Sequence, residues 1–169
     1  MKLETAEKLA YEIVGKLTDF CTQIEVAGSV RRRKGWVNDI DIVAVPSNQG
    51  QFAYQLAQFG KLKVGGQKII RVAHPGITLD VYIATPETWA TLLLIRTGSN
   101  EHNIMLCKRA LQMGMKLHAD GSGLFRLGGM VATEDAADGN FDETRIAGDT
   151  ELSIFEALGM KYKKPWERD

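Results

Sequence analysis

The stretch VAGSVRRRKGWVNDIDIVAV, residues 26–45, sets four consecutive basic residues, Arg31 to Lys34, between Gly28-Ser29 and two aspartates, Asp39 and Asp41. Its flanks are apolar and largely β-branched. They read as two core strands, the first ended by Gly28-Ser29 and the second, Ile40 to Val45, stopped by Pro46. Charge of both signs is thus confined to a short connection. Side chains alternate faces along a strand, so Asp39 and Asp41 project the same way. Two carboxylates so close repel each other unless a cation lies between them. Hard oxygen ligands on a shared open face suit Mg²⁺, which keeps waters and completes its shell from substrate phosphates. A D-x-D alone is a weak signal. Asp80, in TLDVYI, strengthens it, because a charge embedded in an apolar strand is costly to bury without a partner or a metal. Three carboxylates on adjacent strands build a two-metal site, with ions about 3.5–4 Å apart that activate one oxygen and stabilise the leaving one. Gly28 lets the backbone approach phosphate oxygens, Ser29 donates to them, and Arg31 to Lys34 bring charge-assisted donors to a triphosphate.

The rest of the chain bounds this reading. Its 169 residues, 44% hydrophobic and 25% charged, make a soluble globular protein of one ordinary domain or two small subdomains. The N-terminal MKLETAEKLAYEIV carries charge throughout and is not a secretory leader. The longest apolar run, around Leu92 to Ile95, is far too short to span a membrane. Cys21 and Cys107 lack metal-site spacing and read as free thiols of a reducing compartment. The expectation is an intracellular protein, cytoplasmic or in the host cell of a virus, not secreted and without a membrane partner. Formal net charge is zero, so attraction to nucleic acid cannot come from overall charge. The charge is unevenly spread. No acidic residue lies between Asp41 and Asp80, where Lys61, Lys63, Lys68 and Arg71 stand, whereas seven acids from Glu134 to Glu151 face Arg145 alone.

Periodicity predicts a helix over 5–19 capped by Thr5, a strand over 23–27, and a second helix over 50–59. KLKVGGQKIIRVA reads as a hairpin turning at Gly65-Gly66, and ITLDVYIA as a further strand. A helix follows Pro86, Thr97-Gly98-Ser99 breaks the pattern, and a long helix runs from Asn100 to Met113. Short strands are expected over 115–132, then a helix in TELSIFEALG. The fold class is α+β: a mixed β-sheet with helices over 1–85, then a small helix and β-hairpin subdomain over 86–169.

Gly28-Ser29-Val30-Arg31-Arg32, a spacer and Asp39-Ile40-Asp41 resemble the nucleotidyltransferase motif of family X DNA polymerases, the DNA polymerase beta group. LDVYIA supplies that family's third aspartate. Thr97-Gly98-Ser99 with His102-Asn103, Gly123-Leu124-Phe125, and the ending from Phe155 to Arg168 resemble its closing subdomain. The resemblance implies a nucleotidyltransferase palm over 1–85 and a C-terminal subdomain contacting nucleotide and template over 86–169. It further implies a monomeric, template-directed DNA polymerase adding dNTPs to a primer 3′ hydroxyl, filling short gaps in DNA repair. Two Mg²⁺ ions, replaceable by Mn²⁺, would be held by Asp39, Asp41 and Asp80, with Asp80 drawing the primer proton. Ser29 and Arg32, beside Gly28, would hold the β and γ phosphates. Gly98-Ser99 would form the turn under the sugar, and Asn103 would reach the base edge. Where the family has an arginine bracing the template stands Cys107, beside Lys108 and Arg109, the candidate DNA contacts.

Two departures are informative. A single helix and strand precede the motif, as in minimal viral members, where the family carries a lyase domain and a DNA-gripping region. Ile95-Arg96 replaces an aromatic pair against the sugar, with Arg96 expected to turn toward solvent or phosphate. Two other functions fit the same motif: a template-independent nucleotidyltransferase, and a non-catalytic nucleotide- or DNA-binding module. Three crowded carboxylates argue against the module, which gains nothing from them.

Overall fold

A computed structural model describes residues 1–128 and 143–169. Its elements run α1 (Leu3–Leu17), β1 (Cys21–Val26), α2 (Gly28–Arg31), β2 (Asp39–Pro46), α3 (Gln49–Leu56), β3 (Lys61–Gly65), β4 (Ile69–His74) and β5 (Ile77–Ile83). There follow α4 (Trp89–Thr97), α5 (Asn100–Gln112), β6 (Met115–His118), β7 (Gly123–Leu127), β8 (Glu143–Ala147) and α6 (Glu151–Ala157). The first five strands form one sheet in the order β1-β2-β5-β4-β3. Only β2 and β5 run parallel; every other neighbouring pair is antiparallel, so the sheet is mixed.

Strand alternation divides this sheet into two chemically different faces. Ile40 and Ile42 of β2, Leu79 and Val81 of β5, and Ile70 and Val72 of β4 point to one side. There α1 lays down Ala6, Ala10, Ile13 and Leu17 at helical spacing, and α3 adds Phe52 and Leu56. Burial of each larger aliphatic side chain contributes about 1.5–3 kcal/mol. The other face carries Val43 and Val45, which pack with Ala27 and Ala84 against Leu92 and Leu93 of α4. That cover lies over the end of β2 nearest Pro46, while Asp39 and Asp41 at its start are only half-buried. The second sheet, β6-β7-β8, is antiparallel and shares a core with α5 and α6 through Leu106, Leu117, Leu124, Ile154 and Phe155.

Three local expectations are corrected. Thr5 does not cap α1; the helix starts at Leu3 with Lys2 as its cap and no side-chain cap bond. The start is pinned from outside, by the Met1 amino group on the Val37 carbonyl (2.6 Å), a Lys2–Trp36 bridge, and Leu3 N–H on Gly35 O (3.2 Å). Gly28-Ser29 is not a bare turn but opens α2. The end of the acidic tract is not merely solvated surface, because its Glu143 begins strand β8 and pairs with His118 (2.8 Å) and Lys116 (3.7 Å). Residues 134–142 of that tract, and the end of the strand region expected to reach 132, lie outside the described residues. Cys21 and Cys107 are free thiols.

Candidate active site

The two carboxylates of β2 and the one on β5 meet through strand register. Asp41 pairs directly with Asp80 across the parallel β2–β5 ladder, and Asp39 pairs with Thr78. Asp39, Asp41 and Asp80 therefore share one face, as the D-x-D spacing and the apolar surroundings of Asp80 predict. Burial, followed by the charges of Asp39 and Asp80, pushes the Asp41 carboxyl up to about 7. A hydrogen bond from Tyr82 and the charge of Arg32 work the other way. Asp80 is only 3% exposed, and both its oxygens accept from Arg71, its antiparallel neighbour on β4: Nε to Oδ1 and Nη2 to Oδ2, each 2.6 Å. Among the described residues, no three acidic, histidine or cysteine side chains close on one point as a metal cage.

Two of these aspartates border a cleft of about 670 Å³; Asp80 is buried and does not line it. Asp39 and Asp41 line it together with Gly28, Ser29, Arg32, Lys34, Tyr82, Ile95, Arg96, Gly98 and Asn103. Gly28 is required where it stands. Its φ is +57°, and a Cβ there would run into the Asp41 carboxylate. The Ser29 hydroxyl is buried beside the cleft with no hydrogen-bond partner among the described residues, so it is free to donate to a ligand.

The four basic residues divide, which corrects the expectation that all serve a triphosphate. Arg31 donates to Thr97 Oγ1 (2.8 Å) and Glu151 Oε1 (2.6 Å), away from the cleft. Arg33 lies over the Trp166 ring at 4.5 Å. Only Arg32 and Lys34 line the cleft, and both already hold an anion. Arg32 Nε donates to Asp169 Oδ1 (3.2 Å) and its Nη1 to the Thr97 carbonyl, while Lys34 pairs with Asp169.

The break between α4 and α5 forms the far wall. Gly98 is in the left-handed region at φ +70° and joins Ser99 through a cis peptide bond. The Ser99 hydroxyl turns inward, donating to Arg168 O (2.7 Å) and accepting from His102 N–H, so it does not face the cleft. Asn103 does face it. Its Nδ2 donates to Ile95 O (2.8 Å), and its Oδ1 is buried without a partner. Arg96 is exposed, as expected, and its guanidinium also lies over the Tyr82 ring at 4.2 Å. His102 is a core residue against Phe155, and burial lowers its imidazole to about 4. Lys108 and Arg109 do not join the cleft. They line a separate groove with Met105 and Met160, and Arg109 Nε donates to Leu158 O (3.1 Å).

Three residues at the site escaped the reading of the sequence. Tyr82 stands two after Asp80 on one strand, so alternation alone puts it on the carboxylate face. Trp36, 65% exposed on the rim of the cleft, had its position beside the D-x-D as a signal. Arg71 had none, since only the hairpin register sets it opposite Asp80. Glu151 was counted only as part of the acidic tract. Burial works to raise its carboxyl but is outweighed by hydrogen bonds from Arg168 and Arg31, which hold it below its ordinary value.

Comparison with known proteins points the same way for the C-terminal part. Residues 92–169 match the family model described as DNA polymerase beta thumb. No curated protein matches the chain.

Proposed function

We propose that this chain is a family X DNA polymerase-like protein, a reading supported by the thumb match over residues 92–169, and that it acts as a template-directed DNA polymerase. It adds dNTPs to a primer 3′ hydroxyl by metal-dependent nucleotidyl transfer and fills short gaps in DNA repair. The observation that carries the reading is the meeting of Asp39, Asp41 and Asp80 on one sheet face, with Asp39 and Asp41 lining a cleft that Ser29, Arg32 and Lys34 line as well.

The donor set fits divalent magnesium or manganese. All three groups are hard carboxylates, and burial, with the like charges of Asp39 and Asp80, pushes the Asp41 carboxyl up to about 7, a strain that a cation would relieve. Asp39 and Asp41 would hold the ions, with Asp80 completing the set. Bound there, the ions supply charge neutralisation at the leaving phosphates and a more acidic primer hydroxyl.

The protein's own groups do the remainder. Ser29 Oγ and the Arg32 and Lys34 side chains take the β and γ phosphates, replacing Asp169, a carboxylate that those two cations already hold. Asp80, fixed on β5, accepts the proton of the primer hydroxyl. Tyr82 orients Asp41 through its hydrogen bond. Asn103 meets the base edge after releasing the Ile95 carbonyl. There the minor-groove acceptors carry little sequence information, which leaves base choice to the template.

The test is extension on a gapped duplex, with Mg²⁺ or EDTA, each dNTP supplied singly. Metal-dependent extension by the complementary nucleotide alone is the expected result. Equal use of all four would make the protein a template-independent transferase. Binding without extension under any condition would make it a non-catalytic module.

A further inference from the structure

Asp80 is not a free ligand in this structure. Arg71 faces it across the β4–β5 ladder and donates to both carboxylate oxygens in the planar fork that guanidinium forms best. The two ends of the pair differ in freedom. The Asp80 side chain is 5% exposed and the Arg71 side chain 45%. The carboxylate is held by the strand and its packing, so any exchange of partners must come from movement of the arginine. Asp41 carries no such clamp; it is hydrogen-bonded by Tyr82 and feels Arg32 through its charge.

The surroundings of Arg71 point to what it exchanges for. Beyond β4 the sheet ends in β3, KLKVG, exposed along its whole length and carrying Lys61 and Lys63. On this face Lys61 pairs with Ala73 of β4, which pairs with Thr78, which pairs with Asp39. A row of side chains thus leads from the aspartates to a basic edge. A guanidinium fork that fits a carboxylate fits a phosphate equally well.

We propose that Arg71 is a resident counter-ion that withholds Asp80 from the metal site in the free protein and yields it when a DNA phosphate captures the guanidinium. The inference rests on the polymerase reading above and adds an order of events: DNA, not nucleotide, completes the cation site. With Arg71 engaged, one lone pair on each Asp80 oxygen is taken and a positive charge stands beside the place a cation would occupy, so the two compete. In the metal-free protein the same contact relieves the repulsion between Asp80 and Asp41. Arg71 touches no reacting atom and is a positioning residue.

The proposal is tested by counting Mn²⁺ bound to the metal-stripped full chain, without DNA or nucleotide, from the electron paramagnetic resonance of the free ion. Arg71→Gln is expected to bind Mn²⁺ about tenfold more tightly than the natural protein, the lower end of what an outer partner of a metal ligand changes. Arg71→Lys, which keeps the charge but loses the fork, is expected to fall between them and decides the matter if Arg71→Gln does not fold. With duplex DNA and Mg²⁺, the slope of log K against log salt for Arg71→Gln should be shallower by about 0.9, one phosphate contact. Equal Mn²⁺ binding by all three proteins, or an unchanged slope in Mg²⁺, would overturn the proposal. Asp39→Asn separates the two levels. If it binds Mn²⁺ as the natural protein does, the polymerase reading itself fails. If it loses the ion while the Arg71 variants behave normally, only the role of Arg71 is lost.

Discussion

Asp41 is held in a state that a carboxylate adopts only under pressure. Burial and two like charges raise it from an ordinary 3.8 to about 7, so the folded protein binds its proton more tightly than the unfolded chain does. The stabilisation linked to that proton is full below about pH 4 and is lost as pH rises through about 7 in metal-free protein. Asp41→Asn removes the titration. In EDTA its advantage over the natural protein should be larger at about pH 8 than at about pH 5, by on the order of 2 kcal/mol. Thermal unfolding of both proteins at the two pH values measures it, and equal differences would mean that Asp41 titrates normally. The same variant should lose primer extension. Gly28 makes a second residue-scale case. Gly28→Ala places a methyl group against the Asp41 carboxylate at a φ of +57°. A loss of about 1–3 kcal/mol by denaturant titration is expected, with weakened Mn²⁺ binding. A fully stable variant would show that α2 can shift without consequence.

At the scale of elements, the end of α2 and the end of α4 are tied to α6 and the C-terminal segment by a buried charge network. Glu151 accepts from Arg31 (2.6 Å) and from Arg168 (2.9 Å), with the Tyr162 hydroxyl donating to it at 3.1 Å. Arg168 is 1% exposed and has no access to water if that carboxylate goes. Glu151→Ala should therefore destabilise by about 3–5 kcal/mol. Arg31→Ala should cost distinctly less, because Glu151 keeps Arg168. Equal losses in urea titrations of the two variants would contradict this ordering. On the proposed polymerase reading, the end of α4 also bears on sugar choice. Arg96 is braced on Tyr82, so the backbone there is steadier than a free arginine would make it, yet Ile95 still offers less bulk than an aromatic ring. Preference for dGTP over GTP opposite template C should be about 10²-fold in kcat/KM, the discrimination of a pocket without a rigid wall. Ile95→Tyr should raise it. A natural ratio near 10⁴ would locate the wall in the backbone or in Arg96.

For the whole molecule, a net charge of zero and the internal pairing of Arg31, Arg33 and Arg168 leave few cations for DNA. At about 0.9 per phosphate contact, the slope of log K against log salt should lie between about −2 and −5. Tight binding indifferent to salt would refute that picture of the surface. Among the described residues no helix is long and apolar enough to cross a membrane. The strands β1 to β7, the helical faces of α1 and α5, the break at Gly98-Ser99, and the shared face of Asp39 and Asp41 were legible in the sequence. Each depends on a periodicity of two or 3.6 residues, or on a glycine, and so is written locally. The tertiary structure alone decided the fates of the four basic residues, the inward turn of the Ser99 hydroxyl, the strand at Glu143–Ala147, and the clamp of Arg71 on Asp80. Those outcomes depend on partners distant in the chain: Glu151 for Arg31, Arg168 for Ser99, β7 for β8. Arg71 reaches Asp80 only because the β4–β5 hairpin settles in one register. Local pattern says which way a side chain points; only the packed fold says what it meets there.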